Sequence, residues 1–244
     1  MSVVRVLSLG AGVQSTTLAL MAAGGEIEAL DCAIFADTGW EPGGVYRHLD
    51  ALERMLPYPV YRVSGGDIRD SIATGGYEPI PWHVEGAMGR RQCTKVYKLY
   101  PIRRKVRELL GGKTPCGGCE MLIGISADEA HRLKPSTVAY IRNSWPLVEL
   151  GLSRADCRAK LERWGINAPR SACCGCPYLS DADWRHRAQQ PEWPETVALS
   201  RRLAVTGQYM HRSLLPLDRI DFRSWAERGQ SDLFGEECEG ICGI

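Results

Sequence analysis

The nine residues Ser8–Thr16, SLGAGVQST, join a short apolar run, Val3–Leu9, to a segment that reads as a helix over Ser15–Ala23. An apolar run without alternation suits a strand buried on both faces, which occurs almost only in parallel sheets covered by helices. The same grammar recurs. Cys32–Ala36 is a second buried strand and ends in Asp37-Thr38-Gly39. Val45, Leu49, Leu52 and Leu56 recur at helical spacing, which predicts an amphipathic crossover helix over residues 43–56. Val60–Val63 and Met121–Ser126 read as further strands, the last leading into Asp128-Glu129. The fold class this implies is α/β, a doubly wound parallel sheet with ligands at the carboxyl ends of its strands.

Beyond these strands the pattern changes. Residues 64–92 are rich in Gly and Pro and read as a loop or lid. Pro101–Leu110 reads as a helix ended by Gly111-Gly112. Ser153 with Asp156 forms a capping-box-like start to a helix that reaches Trp164 and stops at Gly165. The run Cys173-Cys174-Gly175-Cys176-Pro177 follows, then helices over Asp181–Gln189 and Pro194–Val205. This divides the chain into an α/β domain, residues 1–150, and a helical cysteine-rich C-terminal extension, residues 151–244, packed on the same domain.

Composition narrows the classes. With 44% hydrophobic and 24% charged residues the chain of 244 can bury a core, and its formal net charge of +1 provides no global field for nucleic acid or membrane. A nucleic-acid partner must therefore find a local patch. No apolar run approaches the roughly 18 residues of a membrane helix, and MSVVRVLSLGAG lacks a signal-peptide layout. The expectation is a cytoplasmic protein without a membrane partner. Ten cysteines in a reducing compartment point to metal binding or chemistry rather than disulfides.

In the loop itself, Gly10 and Gly12 let backbone N–H groups approach an anion, Ser8, Ser15 and Thr16 add hydroxyls, and the helix N-terminus adds partial positive charge. The loop is not a Walker A motif, for it lacks Gly-Lys-Ser/Thr, nor a G-x-G-x-x-G fingerprint, because Ser15 takes the last glycine's place. Alone it would pass for an ordinary glycine-containing strand–helix turn. The parallel-sheet reading sets Phe35–Pro42, FADTGWEP, beside it.

Together the two segments resemble the serine-glycine PP-loop and the Asp-Thr-Gly motif of 3′-phosphoadenosine 5′-phosphosulfate (PAPS) reductases and their PP-loop relatives, a Rossmann-like superfamily. RQCTKVYKLYPIRR (Arg91–Arg104), IGISADEAHR (Ile123–Arg132), SACCGCPY (Ser171–Tyr178) and HRSLLPL (His211–Leu217) extend the resemblance over most of the chain. It implies an adenine nucleotide, ATP or PAPS, held by Ser8, Gly10, Gly12, Gln14, Ser15, Thr16, Asp37, Thr38 and Gly39. Arg90 and Arg91 are the basic candidates for phosphate or sulfate, since guanidinium binds such groups bidentately; Lys98 and Arg132 come second. One position departs from the pattern: relatives usually carry Asp where this chain has Gln14. A neutral amide cannot hold Mg²⁺ as a carboxylate does, which leaves that role to Asp37 or Asp128.

The resemblance also implies that Cys93, Cys173 and Cys176 converge, with Cys157 as a fourth candidate ligand. Three or four thiolates suit a 4Fe–4S cluster or zinc, and relatives with this cysteine pattern use the cluster. A buried helical position among Leu152, Leu161 and Trp164 is the competing reading for Cys157. Cys174 and Cys32 read as structural. Cys116-Gly117-Gly118-Cys119 is a second C-x-x-C, readable as a zinc knuckle, a redox pair or a plain loop. The C-terminus EECEGICGI echoes the catalytic Glu-Cys-Gly-Ile-His tail of PAPS reductases without reproducing it. Cys238 and Cys242 are then the candidate nucleophile and resolving thiol, and an unstructured tail is the alternative.

Three functions follow. ATP could adenylate an acceptor, nucleic acid or small molecule, that then takes sulfur from a donor protein. PAPS or its unphosphorylated analogue could be reduced to sulfite with an electron-donor protein. A zinc-stabilised nucleotide-binding module without catalysis is the third.

Overall fold

A computed structural model describes residues 3–73, 79–112, 118–224 and 227 of the chain. The chain divides into two compact units, one made of residues 1–67 and 94–171, the other of residues 68–93 and 172–244.

The first unit is built on a five-stranded sheet. Its strands are β1 (Val4–Leu9), β2 (Cys32–Asp37), β3 (Val60–Ser64), β6 (Cys119–Ile123) and β7 (Ile141–Ser144). They lie in the order β3-β2-β1-β6-β7, and every pairing is parallel. The expected α/β, Rossmann-like class is therefore what the chain adopts. Four of the five strands are legible as apolar runs. The fifth, IRNS, is a short edge strand with a single neighbour and needs no such run.

Helices cover both faces. On one, α1 (Val13–Ala23) and α2 (Gly43–Met55) join Leu7, Leu9, Ala33, Phe35 and Leu122 in one core. On α2 the residues predicted from spacing, Val45, Leu49 and Leu52, are the buried ones. The helix α6 (Arg154–Arg163) packs on α1 and adds Cys157 and Leu161 to that core. On the other face, α4 (Tyr100–Leu109) sets Ile102 and Val106 against Val6, Cys32, Ile34 and Met121. A π-helical turn, Thr94–Leu99, leads into α4. Such turns are rare in globular proteins. The short helix α5 (Pro146–Glu149) completes this unit.

The glycine- and proline-rich stretch is more ordered than a bare loop. It contains α3 (Ile68–Ala73) and a two-stranded hairpin, β4 (His83–Val84) with β5 (Ala87–Met88). These belong to the second unit, together with α7 (Asp181–Arg187) and α8 (Trp193–Val205). Its core is aromatic: Trp184 is fully buried, with Trp193 and Phe222 at centroid distances of 6.4 and 6.3 Å. The Ser153–Asp156 capping box is present as expected, and Ser180 with Asp183 forms another at α7. No helix among the described residues is long and apolar enough to cross a membrane.

Candidate functional site

In the sheet unit the strand order reverses beside β1: the chain runs from β1 outward to β2 and β3, then returns to β6 on the other side. A crevice outside the carboxyl ends of β1 and β6 is where ligands bind in open α/β sheets. The loop Gly10–Gly12 leaves β1 at that point, and Gly12 is the N-cap of α1.

The backbone N–H groups of Gly10 and Gly12 converge on Ser15 Oγ, at 3.2 and 3.3 Å, and the hydroxyl lies 3.3 Å from Gly12 carbonyl oxygen. Two N–H groups aimed at one point, at a helix N-terminus, make an anion-binding geometry. Ala11, between the glycines, has φ +53° and is fully buried. Left-handed backbone at a non-glycine residue is uncommon and collects at ligand clamps. A Cβ on Gly12 would stand 2.9 Å from Ser171 Cβ, so the segment before the cysteines lies directly on the loop. Thr16 is fully buried, and its hydroxyl lies 2.9 Å from His48 Nε2 of α2. That bond occupies the hydroxyl expected to face phosphate. Burial lowers the His48 pKa.

Gln14 turns the other way. Its amide Nε2 donates to Glu129 Oε2 at 2.9 Å and lies 3.4 Å from Ser126 Oγ, while Arg132 pairs with Glu129 Oε1 at 2.8 Å. An aspartate in place of Gln14 would face Glu129 as a like charge. At this position the β6 side presents a carboxylate, and an amide satisfies it. Asp128 is engaged elsewhere, accepting the Arg154 backbone N–H at 2.9 Å at the start of α6. Its pKa is lowered, first by the Ser126 hydroxyl.

At the end of β2, Asp37 Oδ1 accepts the Gly39 N–H at 2.8 Å and the Tyr46 hydroxyl at 2.7 Å. The Tyr46 pKa is raised, by burial first and then by this carboxylate. Thr38 donates to Glu41 Oε1 at 3.3 Å, and Lys98, from the π-helical turn, approaches the same oxygen at 3.2 Å. Glu41 is almost wholly buried, so Lys98 is the counter-ion of an interior carboxylate.

In the second unit, Cys93, Cys173 and Cys176 are half-buried, and the Cys176 N–H donates to Cys173 carbonyl oxygen at 3.2 Å. The Tyr178 pKa is raised mainly by burial, with Cys93 and Cys176 adding to it and Arg91 opposing. The Arg91 guanidinium lies 4.9 Å from the centroid of that ring. Arg90 is exposed. Among the described residues no three His, Cys, Asp or Glu side chains gather closely enough to hold one metal ion.

Cys157 lies in the sheet unit, fully buried, with burial raising its thiol pKa. That is the environment of a core cysteine. Cys174 and Cys32 are buried too, as expected. Cys119 is a buried residue of β6, which leaves it a structural role; Cys116, Cys238 and Cys242 lie outside the described residues. His211, within HRSLLPL, pairs with Asp181 at 3.0 Å, and Arg212 meets the same carboxylate. This segment builds a turn on α7.

The residues that sequence reading did not single out are Tyr46, His48, Gly124 and Ser126, together with the bonding role of Glu129. Ser126 and Glu129 sit within IGISADEAHR, but nothing in their types announces a bond to residue 14. Replacing Gln14 by Glu tests that bond. The isosteric carboxylate would face Glu129, at a cost of about 1–2 kcal/mol near neutral pH. One of the two carboxyls acquires a raised pKa, so the deficit vanishes below its unfolded pKa of about 4.3 and grows as pH rises to the folded value. Denaturant titrations at several pH values should show this, and Glu129→Gln on the same chain should remove it.

No family model matches the sequence, and no curated protein matches it. Among solved structures the chain is similar to one described as phosphoadenylyl-sulfate (PAPS) reductase from Candida auris in a phosphate complex. The identity is 11%, the match covers 67% of this chain and 74% of that one, and the TM-score is 0.46. The likeness concerns the course of the chain.

Proposed function

We propose that the chain is an enzyme that holds the phosphates of an adenine nucleotide on Ser8–Thr16 and uses that nucleotide in sulfur transfer. The observation that carries the nucleotide half is the convergence of the Gly10 and Gly12 N–H groups at the N-terminus of α1, at the switch point of the sheet. An anionic oxygen accepts such N–H groups more strongly than a hydroxyl does. Ser15 then exchanges the acceptor role for donation to the ligand. Asp37, held by Tyr46 and Gly39, is the carboxylate that would face a magnesium-bound phosphate. Thr38 and Gly39 shape the turn beside it.

The sulfur half rests on the cysteines and on the motif resemblance. Cys93, Cys173 and Cys176 all belong to the second unit, and each is half-buried. In the reaction we favour, ATP adenylates an acceptor oxygen with loss of pyrophosphate, and sulfur then displaces AMP. A 4Fe–4S cluster on Cys93, Cys173 and Cys176 would supply or hold sulfide, and its assembly would have to draw together thiols that are not gathered to one centre. Cys238 and Cys242 are the proposed nucleophile and resolving thiol.

Calorimetry with ATP and with PAPS tests the nucleotide half; binding of neither overturns it. Pyrophosphate release with ATP supports sulfur transfer, whereas sulfite from PAPS would identify a reductase instead. Anaerobic purification tests the metal half. A brown protein that loses its colour in Cys176→Ala is the expected result, while a colourless protein with stoichiometric zinc would favour the non-catalytic module. Replacing Cys238 and Cys242 together should leave the colour and lower turnover.

A further inference from the structure

The segment from Thr94 to Leu109, spanning the π-helical turn and α4, carries six cations (Lys95, Lys98, Arg103, Arg104, Lys105 and Arg107) against one carboxylate, Glu108, in a chain whose formal net charge is +1. None of the six is buried, because Ile102 and Val106 take the inward face. What sets this cluster apart is the partners it has. Arg103 donates to Thr137 Oγ1 at 2.9 Å, Arg104 to the Ser64 carbonyl at 3.2 Å, and Arg107 to Tyr140 hydroxyl at 3.4 Å. Lys95 sits 5.7 Å from the centroid of Tyr100, a ring that is 48% exposed.

Elsewhere several of the described arginines find carboxylates. Arg62 bonds to Asp50 and Glu53, Arg142 to Glu120, Arg201 to Asp218, and Arg223 to Asp221. Within this segment, among the described residues, Lys98 pairs with Glu41 at 3.2 Å and Lys105 with Glu108 at 3.3 Å. The three arginines are steered by neutral oxygens, which orient a guanidinium without cancelling its charge. They therefore keep N–H groups and full charge for an outside anion, with part of the side-chain freedom already given up.

We propose that this face of α4 docks the phosphodiester backbone of a nucleic acid. Arg103, Arg104 and Arg107 contact phosphates, and the exposed Tyr100 ring offers a surface on which a base can stack. The contact carries no sequence preference, since phosphates hold no base information. It is independent of the nucleotide reading, because it involves none of the loop residues.

The test is fluorescence anisotropy with a labelled DNA duplex and a labelled RNA hairpin, on the full chain without ATP, across 50–200 mM salt. Binding to either should weaken as salt rises. The variant Arg103→Gln/Arg104→Gln/Arg107→Gln should bind at least tenfold more weakly and lower the salt slope by about 2–3, close to one unit for each phosphate no longer neutralised. Removing as many acid-paired cations, in Arg201→Gln/Arg212→Gln/Arg223→Gln, should change affinity less than threefold. Circular dichroism checks folding, and the charge-preserving Lys variant at the three α4 positions should bind within a few-fold of the parent. Equal losses in the two Gln variants, salt-independent binding, or no nucleic-acid binding overturns the proposal. So does binding only to phosphatidylserine vesicles.

Discussion

Gly39→Ala should cost about 2–5 kcal/mol of stability, from two sources that add. Gly39 has φ +73°, a left-handed conformation that an L side chain adopts at about 1–2 kcal/mol. Its Cβ would also stand 2.9 Å from Asp67 Cγ and Oδ2 and 3.0 Å from Asp67 Cα. The carboxylate can swing aside but the Cα cannot, and overpacking of this kind costs about 1–3 kcal/mol. Gly111 separates the two sources. It has φ +95° with nothing within 4 Å of the position its Cβ would take, so Gly111→Ala bears the conformational cost alone. Urea denaturation of both variants should show the larger loss at Gly39, and equal losses would remove the packing component. Because the Gly39 N–H donates to Asp37 Oδ1, nucleotide affinity should fall with stability at this position. At Gly111 it should not.

The strands and helices of the sheet unit are legible in the sequence because burial on both faces leaves an unmistakable apolar pattern. Val6, Leu7, Ala33 and Ile34 are each wholly buried, and no other environment suits such runs. β7 is not legible, since an edge strand with Arg142 and Asn143 pays little for polarity. The hairpin within residues 79–92 is equally silent: its strands are two residues long, and long-range pairing such as the His83–Tyr209 bridge helps hold it. Tertiary context, not local preference, decides such elements.

The loop Ser8–Thr16 divides along the same line. Its place between strand and helix, and its glycines, follow from local chemistry. The fate of each hydroxyl does not, because Thr16 is taken by a histidine 32 residues away and Gln14 by a glutamate 115 residues away. The cysteines are harder still. Their spacing says that thiols can meet, but it does not separate the fully buried Cys157 from the half-buried Cys93, Cys173 and Cys176. A residue type names a chemistry; the packing around it decides whether that chemistry is used.

Gly124→Ala is the sharper functional test, because there the packing and the proposed anion site share atoms. A Cβ on Gly124 would lie 2.8 Å from the Ser15 backbone nitrogen and 3.1 Å from Gln14 carbonyl carbon and Ser15 Cα. All three belong to the first turn of α1, and none can rotate away. Either the end of β6 retreats or the helix N-terminus does, and both open the switch point between β1 and β6. The stability loss should be about 1–3 kcal/mol, or roughly 2–12 °C in Tm for a chain of this size. Nucleotide affinity should fall at least about tenfold, equivalent to about 1.4 kcal/mol, as the Gly10 and Gly12 N–H groups lose their common focus. Gly118 precedes β6 at its other end and has nothing within 4 Å of its Cβ position, so Gly118→Ala should leave both quantities nearly unchanged. Calorimetry and thermal melts on the pair decide the matter. A Gly124→Ala protein that melts lower yet binds nucleotide with unaltered affinity would mean that the loop is a packing element and that phosphate is held elsewhere.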